Sequence, residues 1–287
     1  MLVVGCGYVG RRMARRLAGE SPLMGVVRSR EGAEALAREG IAPLIADLDA
    51  PSPPPLPLAG EAVFYFAPPP RSGRTDPRMA RFLDVCERNG RPRRIVYIST
   101  TGVYGDCSGE WVDETRPVAP VEDRAWRRVD AERRLRRWSD AGGGEVVILR
   151  VPGIYGPGRL PLERLRKGLP LVREQEAPWT NRIHVDDLVG ACLAGMERGR
   201  PGEIYHAADG HPSTMVDYFN RIADLTGLPR PPQIPLAEAR NRLSPGMLAY
   251  MRESRRIDNR RLREELGVEL QYPTLEKGLP ACVASPA

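Results

Sequence analysis

The sequence predicts an α/β protein built on a doubly wound parallel sheet, with a smaller lobe at its C-terminal end. Three observations carry that prediction. Over roughly the first 150 residues, short β-branched runs alternate with helical stretches, the pattern of right-handed βαβ crossovers. One of those runs, Ala62-Val63-Phe64-Tyr65-Phe66, is apolar without interruption, as a strand buried on both faces of a parallel sheet must be. Beyond Arg150 prolines and glycines become frequent and the alternation breaks. The chain therefore divides into a main domain over residues 1–150, to which 181–207 returns, and a lobe mainly over 151–287.

The elements follow in order. Leu2-Val3-Val4 is a strand stub; because Met1 stands only four residues before Gly5, this strand is expected to be truncated and weakly paired. The next helix spans Val9 to Ala18, where Val9, Met13 and Leu17 recur every four residues as one apolar stripe. Leu23 to Val27 is the second strand, and a helix near Glu31 to Glu39 ends at Gly40, a natural C-terminal stop. Ile41 to Ala46 is the third strand, and the Pro-rich stretch Ala50 to Leu58 is irregular. After the apolar fourth strand comes a helix near Pro77 to Asn89, the strand Arg94 to Ser99, a helix near Glu122 to Ala141 closed by Gly142-Gly143-Gly144, and the strand Glu145 to Leu149. Asp186 and Asp187 are read as caps of a helix starting near Leu188. In the second lobe a helix spans Ser213 to Thr226, with Val216, Phe219 and Ala223 on one face and Gly227 as its stop.

Composition narrows the function classes. The 287 residues carry 43 Lys and Arg against 37 Asp and Glu, a formal charge of +6. Only Lys167 and Lys277 are lysines, and the arginines are spread along the chain among carboxylates, so no basic face for nucleic acid is expected. No apolar run reaches the roughly 18 residues of a membrane span, and the opening residues form a strand and turn rather than a signal peptide. Five well-separated cysteines without a CxxC pair read as reduced thiols in a cytoplasm, and three scattered histidines imply no metal cluster.

The chemistry begins at Gly5-Cys6-Gly7-Tyr8-Val9-Gly10, a GxGxxG turn between a strand and an amphipathic helix. In that context the first glycine allows the tight turn, the second lets backbone approach a pyrophosphate, and the third packs helix on strand. The helix N-terminus offers free N–H groups to phosphate. A Rossmann-type dinucleotide site follows. Where an NAD site places a carboxylate on the ribose, this chain has Val27-Arg28-Ser29-Arg30, and an arginine pairs with the 2′-phosphate of NADP. NADP is therefore favoured over NAD. Sheet geometry adds Asp47 near the adenine and Ala67-Pro68 along the cofactor backbone, with Ser99, Val151 and Pro152 at neighbouring strand ends.

Further motifs then fall in order: Ser99-Thr100-Thr101-Gly102-Val103-Tyr104-Gly105, Leu149 through Gly158, Asn181-Arg182-Ile183-His184-Val185-Asp186-Asp187, Glu203 through Asp209, and Ser254 through Gly267. Together with the glycine turn they resemble the extended short-chain dehydrogenase/reductase superfamily, the NAD-dependent epimerase/dehydratase group, over about residues 1 to 275. The resemblance implies a C-terminal substrate lobe and hydride exchange between a substrate carbinol and nicotinamide, often on a nucleotide sugar. It implies a Tyr as acid/base, a Lys four residues later, and a Ser or Thr that orients substrate. The hydroxyl position falls on Thr100, but the Tyr and Lys positions fall on Arg124 and Arg128. The pair is absent at any alignment, since Glu163 and Pro273 precede the two lysines by four residues.

An arginine stays protonated and is a poor general base. The chain therefore reads as an atypical branch with its cofactor site kept. Tyr104 and Tyr155 follow motif strands and could donate a proton, or could be structural. Arg182 and Trp179 could face an anionic substrate, Trp179 equally being core, and His184 is read as structural. Two functions stay open: an NAD(P)-dependent oxidoreductase or epimerase-like enzyme on a small carbonyl or carbinol substrate, with a homodimer left open, or a regulator or sensor that binds the dinucleotide without turnover.

Overall fold

The structure, a computed structural model, describes residues 1–19 and 22–284, so the last three residues of the predicted lobe lie outside the described residues. The main domain runs β1 (Leu2–Val4), α1 (Tyr8–Arg16), β2 (Met24–Val27), α2 (Arg30–Arg38), β3 (Ala42–Ile45), β4 (Ala62–Tyr65), α3 (Pro77–Asn89) and β5 (Arg94–Thr100). A 3-10 turn (Thr101–Tyr104), β6 (Trp111–Val112), α4 (Asp123–Asp140) and β7 (Glu145–Val151) follow. The rest comprises β8 (Gly153–Tyr155), α5 (Leu162–Arg166), β9 (Leu171–Val172), β10 (Trp179–Thr180), β11 (Arg182–His184), α6 (Val185–Arg198), β12 (Ile204–His206), β13 (Ser213–Thr214) and α7 (Met215–Thr226). It closes with β14 (Gln233–Ile234), α8 (Leu236–Arg242), α9 (Pro245–Met251), β15 (Arg256–Ile257), α10 (Arg260–Glu264) and α11 (Leu275–Ala284).

Seven strands form one parallel sheet in the order β12-β7-β5-β4-β1-β2-β3. The apolar alternation explains its two covered faces. Leu2, Val4, Val63, Tyr65, Ile95 and Tyr97 turn toward Met79 and Phe82 of α3 and Leu135 of α4. Val3, Phe64, Val96 and Val147 turn toward Met13 of α1 and Leu188 of α6. β1 is short, yet each of its three residues has a partner in both β2 and β4, so the expected weak pairing does not appear. The edge strand β3 carries Pro43 and is largely exposed, which only an edge tolerates.

Most boundaries shift by a residue or two, and three of the differences bear on the site. β7 runs two residues past Leu149, because Thr100 of β5 pairs with Val151. α7 begins at Met215, where the Thr214 hydroxyl accepts the Asp217 N–H at 3.0 Å, and ends at Gly227 with φ +68. α6 begins at Val185, and Asp186 and Asp187 do not cap it. The cap is His184, whose Nδ1 accepts the Asp186 N–H at 3.3 Å. Burial pushes the His184 imidazole down to about 4, leaving that nitrogen free to accept. Asp187 instead receives the N–H groups of Gln271 and Tyr272 at 2.8 and 2.9 Å, and Asp186 pairs with Arg12 of α1 at 2.9 Å.

The second lobe has its own core around Tyr155, Leu165, Val216, Phe219, Ile222 and Leu279. It rises from the carboxyl ends of β7 and β12 and covers that edge of the sheet.

Candidate active site

The three glycines of the turn differ in their surroundings. Gly5 has φ +84, and a Cβ there would collide with the Ala67 backbone at the end of β4. Gly10 lies against β1, where a Cβ would meet Val3 at 2.8 Å and the Cys6 sulfur at 3.1 Å. Gly7 differs: a Cβ there would meet nothing nearer than the Gly5 carbonyl at 4.0 Å. Gly7 is also the N-cap of α1 and supplies no side-chain acceptor, so the helix opens with uncapped N–H groups. This open backbone and helix end fit the pyrophosphate of a dinucleotide. Cys6 is buried beneath Gly10, and burial pushes its thiol up to about 11, so it packs rather than reacts. Tyr8 reaches across to the second lobe, donating to the Pro157 carbonyl at 2.9 Å with Arg159 over its ring at 4.5 Å.

Arg28, just past β2, is exposed and has no ion pair among the described residues. Asp47 is exposed at the end of β3 and accepts the Asp49 N–H at 2.9 Å. Pro68 is exposed beyond β4, where its carbonyl accepts from Arg78 at 2.8 Å. Val151 is buried at the end of β7.

On the same carboxyl edge lies a cleft of about 460 Å³ between the sheet and the second lobe. Thr100, Pro152, Arg124 and Arg128 of α4, Trp179, Arg182, Tyr218 and Tyr250 are among the residues that line it. The structure thus brings Thr100 together with both arginines. The Thr100 hydroxyl accepts the Gly102 N–H at 3.2 Å, which leaves its own proton free to donate. Arg128 is pinned by the Tyr97 hydroxyl at 3.2 Å and the Ile98 carbonyl at 2.9 Å. Arg124 is exposed and stacks over Tyr250 at 4.9 Å. Trp179 is 41% exposed, so it lines the cleft and is not core.

Two expected site residues leave the cleft. Ser99 points back into the protein and donates to Glu132 of α4 at 2.5 Å. Tyr104 is buried, its hydroxyl bonded to Arg150 at 2.7 Å and to His206 Nε2 at 2.6 Å. The reason is one closed network. Arg150 pairs with Glu132 at 2.7 Å, and the neutral His206 accepts from Tyr104 while its Nδ1 faces the Asp258 carbonyl at 2.9 Å. Burial holds His206 down to about 4 and pushes Tyr104 up to about 12, so neither exchanges a proton near neutrality. Tyr155 lines the cleft but is fully buried, its hydroxyl without a partner among the described residues and pressed against Gly278, and burial drives its phenol upward.

Several lining residues escaped the sequence reading. Asn181 donates to the Arg255 carbonyl at 3.0 Å and accepts the Ile257 N–H at 2.8 Å, fastening β15 and the Arg255 that precedes it. Arg255 pairs with Glu253 at 2.8 Å. The motif Asn181-Arg182 and the stretch from Ser254 were visible, but their meeting is long-range and carries no local signal. Tyr250 has no signal at all in its short helix.

Residues 78–208 match the model of the NAD dependent epimerase/dehydratase family. The chain is 31% identical to Protein YeeZ of Escherichia coli (strain K12), covering 94% of this chain and 95% of that protein. A solved structure described as a functionally unknown conserved protein from Silicibacter pomeroyi DSS superposes with a TM-score of 0.85 at 34% identity, covering 99% of this chain and 98% of that one. The structure of MoeE5 in complex with UDP-glucose and NAD superposes with a TM-score of 0.77 at 21% identity, covering 99% and 97%, and shares the fold.

Proposed function

The chain belongs to the NAD dependent epimerase/dehydratase family, and from that premise we propose that it is an NADP-dependent epimerase-like enzyme or reductase acting on a small carbonyl or carbinol compound. The observation that carries this reading is the Gly5–Gly10 turn, with Gly7 open to a ligand and α1 uncapped, beside a cleft lined by Thr100. When bound, a nicotinamide dinucleotide supplies reversible two-electron redox chemistry at the substrate carbon. Gly5, Gly7 and Gly10 with the backbone of Tyr8 and Val9 would hold its pyrophosphate. Arg28 would meet a 2′-phosphate, which favours NADP. Ala67, Pro68, Val151 and Pro152 would line its path.

The chain's own residues then do the following. Thr100 presents a hydroxyl proton to a substrate oxygen. Arg124 and Arg128 remain charged at all working pH values and cannot serve as bases. They stabilise negative charge on the substrate, the larger part of many catalytic effects in a site screened from water. A nucleotide sugar is one substrate class supported by the fold relative that binds UDP-glucose. The reading carries a cytoplasmic location and leaves room for a homodimer.

The test is incubation with NADPH or NADP and a panel of nucleotide sugars, aldehydes and ketones. Absorbance of reduced nicotinamide is followed, with product analysis for isomerisation. Turnover of any one supports the enzyme. Tight dinucleotide binding with no product across the panel would instead support a sensor.

A further inference from the structure

We infer that the substrate carries an anionic group, carboxylate or phosphate, bound within the Thr100 cleft by the arginines that line it, Arg124, Arg128 and Arg182. This rests on the reading of the cleft as a substrate site and names the chemistry of what enters it.

The charge inventory of the cleft is one-sided. Its lining holds four arginines and one carboxylate, Glu253. Glu253 is already committed to Arg255 at 2.8 Å. Arg124, Arg128 and Arg182 have no carboxylate within 4.0 Å among the described residues, whereas arginines elsewhere such as Arg12, Arg94 and Arg134 are paired with carboxylates. Of the other buried arginines, Arg150 is gripped by both oxygens of Glu132 and Arg94 pairs with Glu145, while Arg127, outside the cleft, donates to the Gly73 carbonyl at 2.6 Å.

Arg182 is the strongest member. It is only 6% exposed, and its polar partners are the Ser213 hydroxyl at 2.8 Å and the Met215 sulfur at 3.9 Å. Its guanidinium lies 4.0 Å from the Tyr218 ring centre. A buried cation without an anion is unfavourable unless a ligand supplies one. Burial lowers the affinity of Arg182 for its proton, the expected mark of uncompensated charge. The nearest carboxyls give little relief. Asp209, near Arg182, and Asp76, near Arg128, are both pushed upward by burial. Asp217, also near Arg182, is committed to Arg221 at 2.7 Å.

The position of the arginines makes the inference specific. Arg124 and Arg128 are one helical turn apart on α4 and line the cleft with Thr100. An anion held there shares the cleft with the Thr100 hydroxyl. The aromatic rings of Trp179, Tyr218 and Tyr250 offer flat surfaces to the rest of the molecule.

The experiment is calorimetric titration of the protein saturated with NADP, using four probes: benzoylformate, its neutral counterpart acetophenone, phenyl phosphate and UDP-glucose. The expected result is saturable binding of benzoylformate or phenyl phosphate, and none of acetophenone. Arg182→Met and, separately, Arg124→Gln weaken that binding by roughly 10- to 100-fold, with NADP affinity unchanged. Arg124 is exposed, so its variant folds even where the buried Arg182→Met does not. The ratio between the first and third probes distinguishes carboxylate from phosphate. Equal binding of acetophenone, binding of the anions that ignores both variants, or no binding of any of the three anionic probes would overturn the inference. Failure of the protein to bind NADP would count against the dinucleotide reading separately.

Discussion

The glycine turn and the arginine cleft lie on one edge of the same sheet, yet they are made from opposite materials. The turn is built from backbone and from the absence of side chains. Each of its three glycines answers to a distance or a dihedral: a collision with Ala67, an open face at Gly7, a close approach to Val3. The cleft is built from side chains brought together over long separations, Thr100 from β5, Arg124 and Arg128 from α4, Arg182 from β11 and Tyr250 from α9. A backbone site tolerates little variation in how it is made, and a side-chain site can be refitted to another substrate while the sheet beneath it stays the same. On the proposed reading, that difference lets a glycine turn persist while the side chains of the cleft beside it change.

The comparison can be broken most severely beneath the cleft. Glu132→Ala would leave Arg150 buried without its anion and Ser99 without its acceptor. It should cost about 3–5 kcal/mol, read as a large fall in melting temperature. A loss below about 1 kcal/mol would mean the network does not support the cleft. In the turn, Gly5→Val combines a strained φ with a backbone collision and should cost about 3 kcal/mol. Gly7→Ala should cost far less stability in thermal melts while weakening dinucleotide binding, because its Cβ enters the ligand's space rather than the protein's. Equal stability losses for the two glycines would erase the distinction drawn between them.

A smaller effect depends on pH. Burial lifts the Asp209 carboxyl from 3.8 to about 7. Between those values the folded chain keeps a proton that the unfolded chain has released, so this group lowers stability as pH rises through the window. His206 works the other way. Burial lowers it from 6.5 to about 4, so it makes stability climb with pH below neutrality. Asp209→Asn should therefore be more stable than the parent at pH 8, on the order of 3 kcal/mol, with the advantage shrinking toward pH 4. An advantage that does not change with pH would remove the buried carboxyl from the account.

The smallest effect is on cofactor choice. Arg28→Asp should weaken NADPH binding by about 1–3 kcal/mol and leave NADH within a few-fold, as measured by titration of each. Equal losses would leave no case for NADP.

Legibility in the sequence followed the same division. Six of the seven strands that begin in the first 150 residues, all but the two-residue β6, were readable with their helices because period, glycine stops and turn chemistry are local. Gly5, Gly7 and Gly10 were readable for the same reason. Ser99 was misplaced, and Tyr104 was left open between proton donor and structural anchor, because one motif supplies both a cleft hydroxyl and buried anchors, and strand alternation near a sheet end does not say which residue turns inward. Arg150, whose pairing with Glu132 decides that question, looks like any other arginine in an arginine-rich chain. His184 was hidden as a cap because Asp186 and Asp187 are stronger capping types, and only the approach of Gln271 and Tyr272 reveals their other use. Tyr250 and Arg255 could not be found, since nothing local ties them to Thr100.

The central claim, that the backbone of the Gly5–Gly10 turn holds a nicotinamide dinucleotide, is tested most directly by calorimetric titration of NADPH into the parent protein and the Gly7→Ala variant. The account predicts one saturable site in the parent and affinity at least tenfold weaker in a variant that still melts cooperatively. No binding to the parent, or equal binding to both, would contradict it.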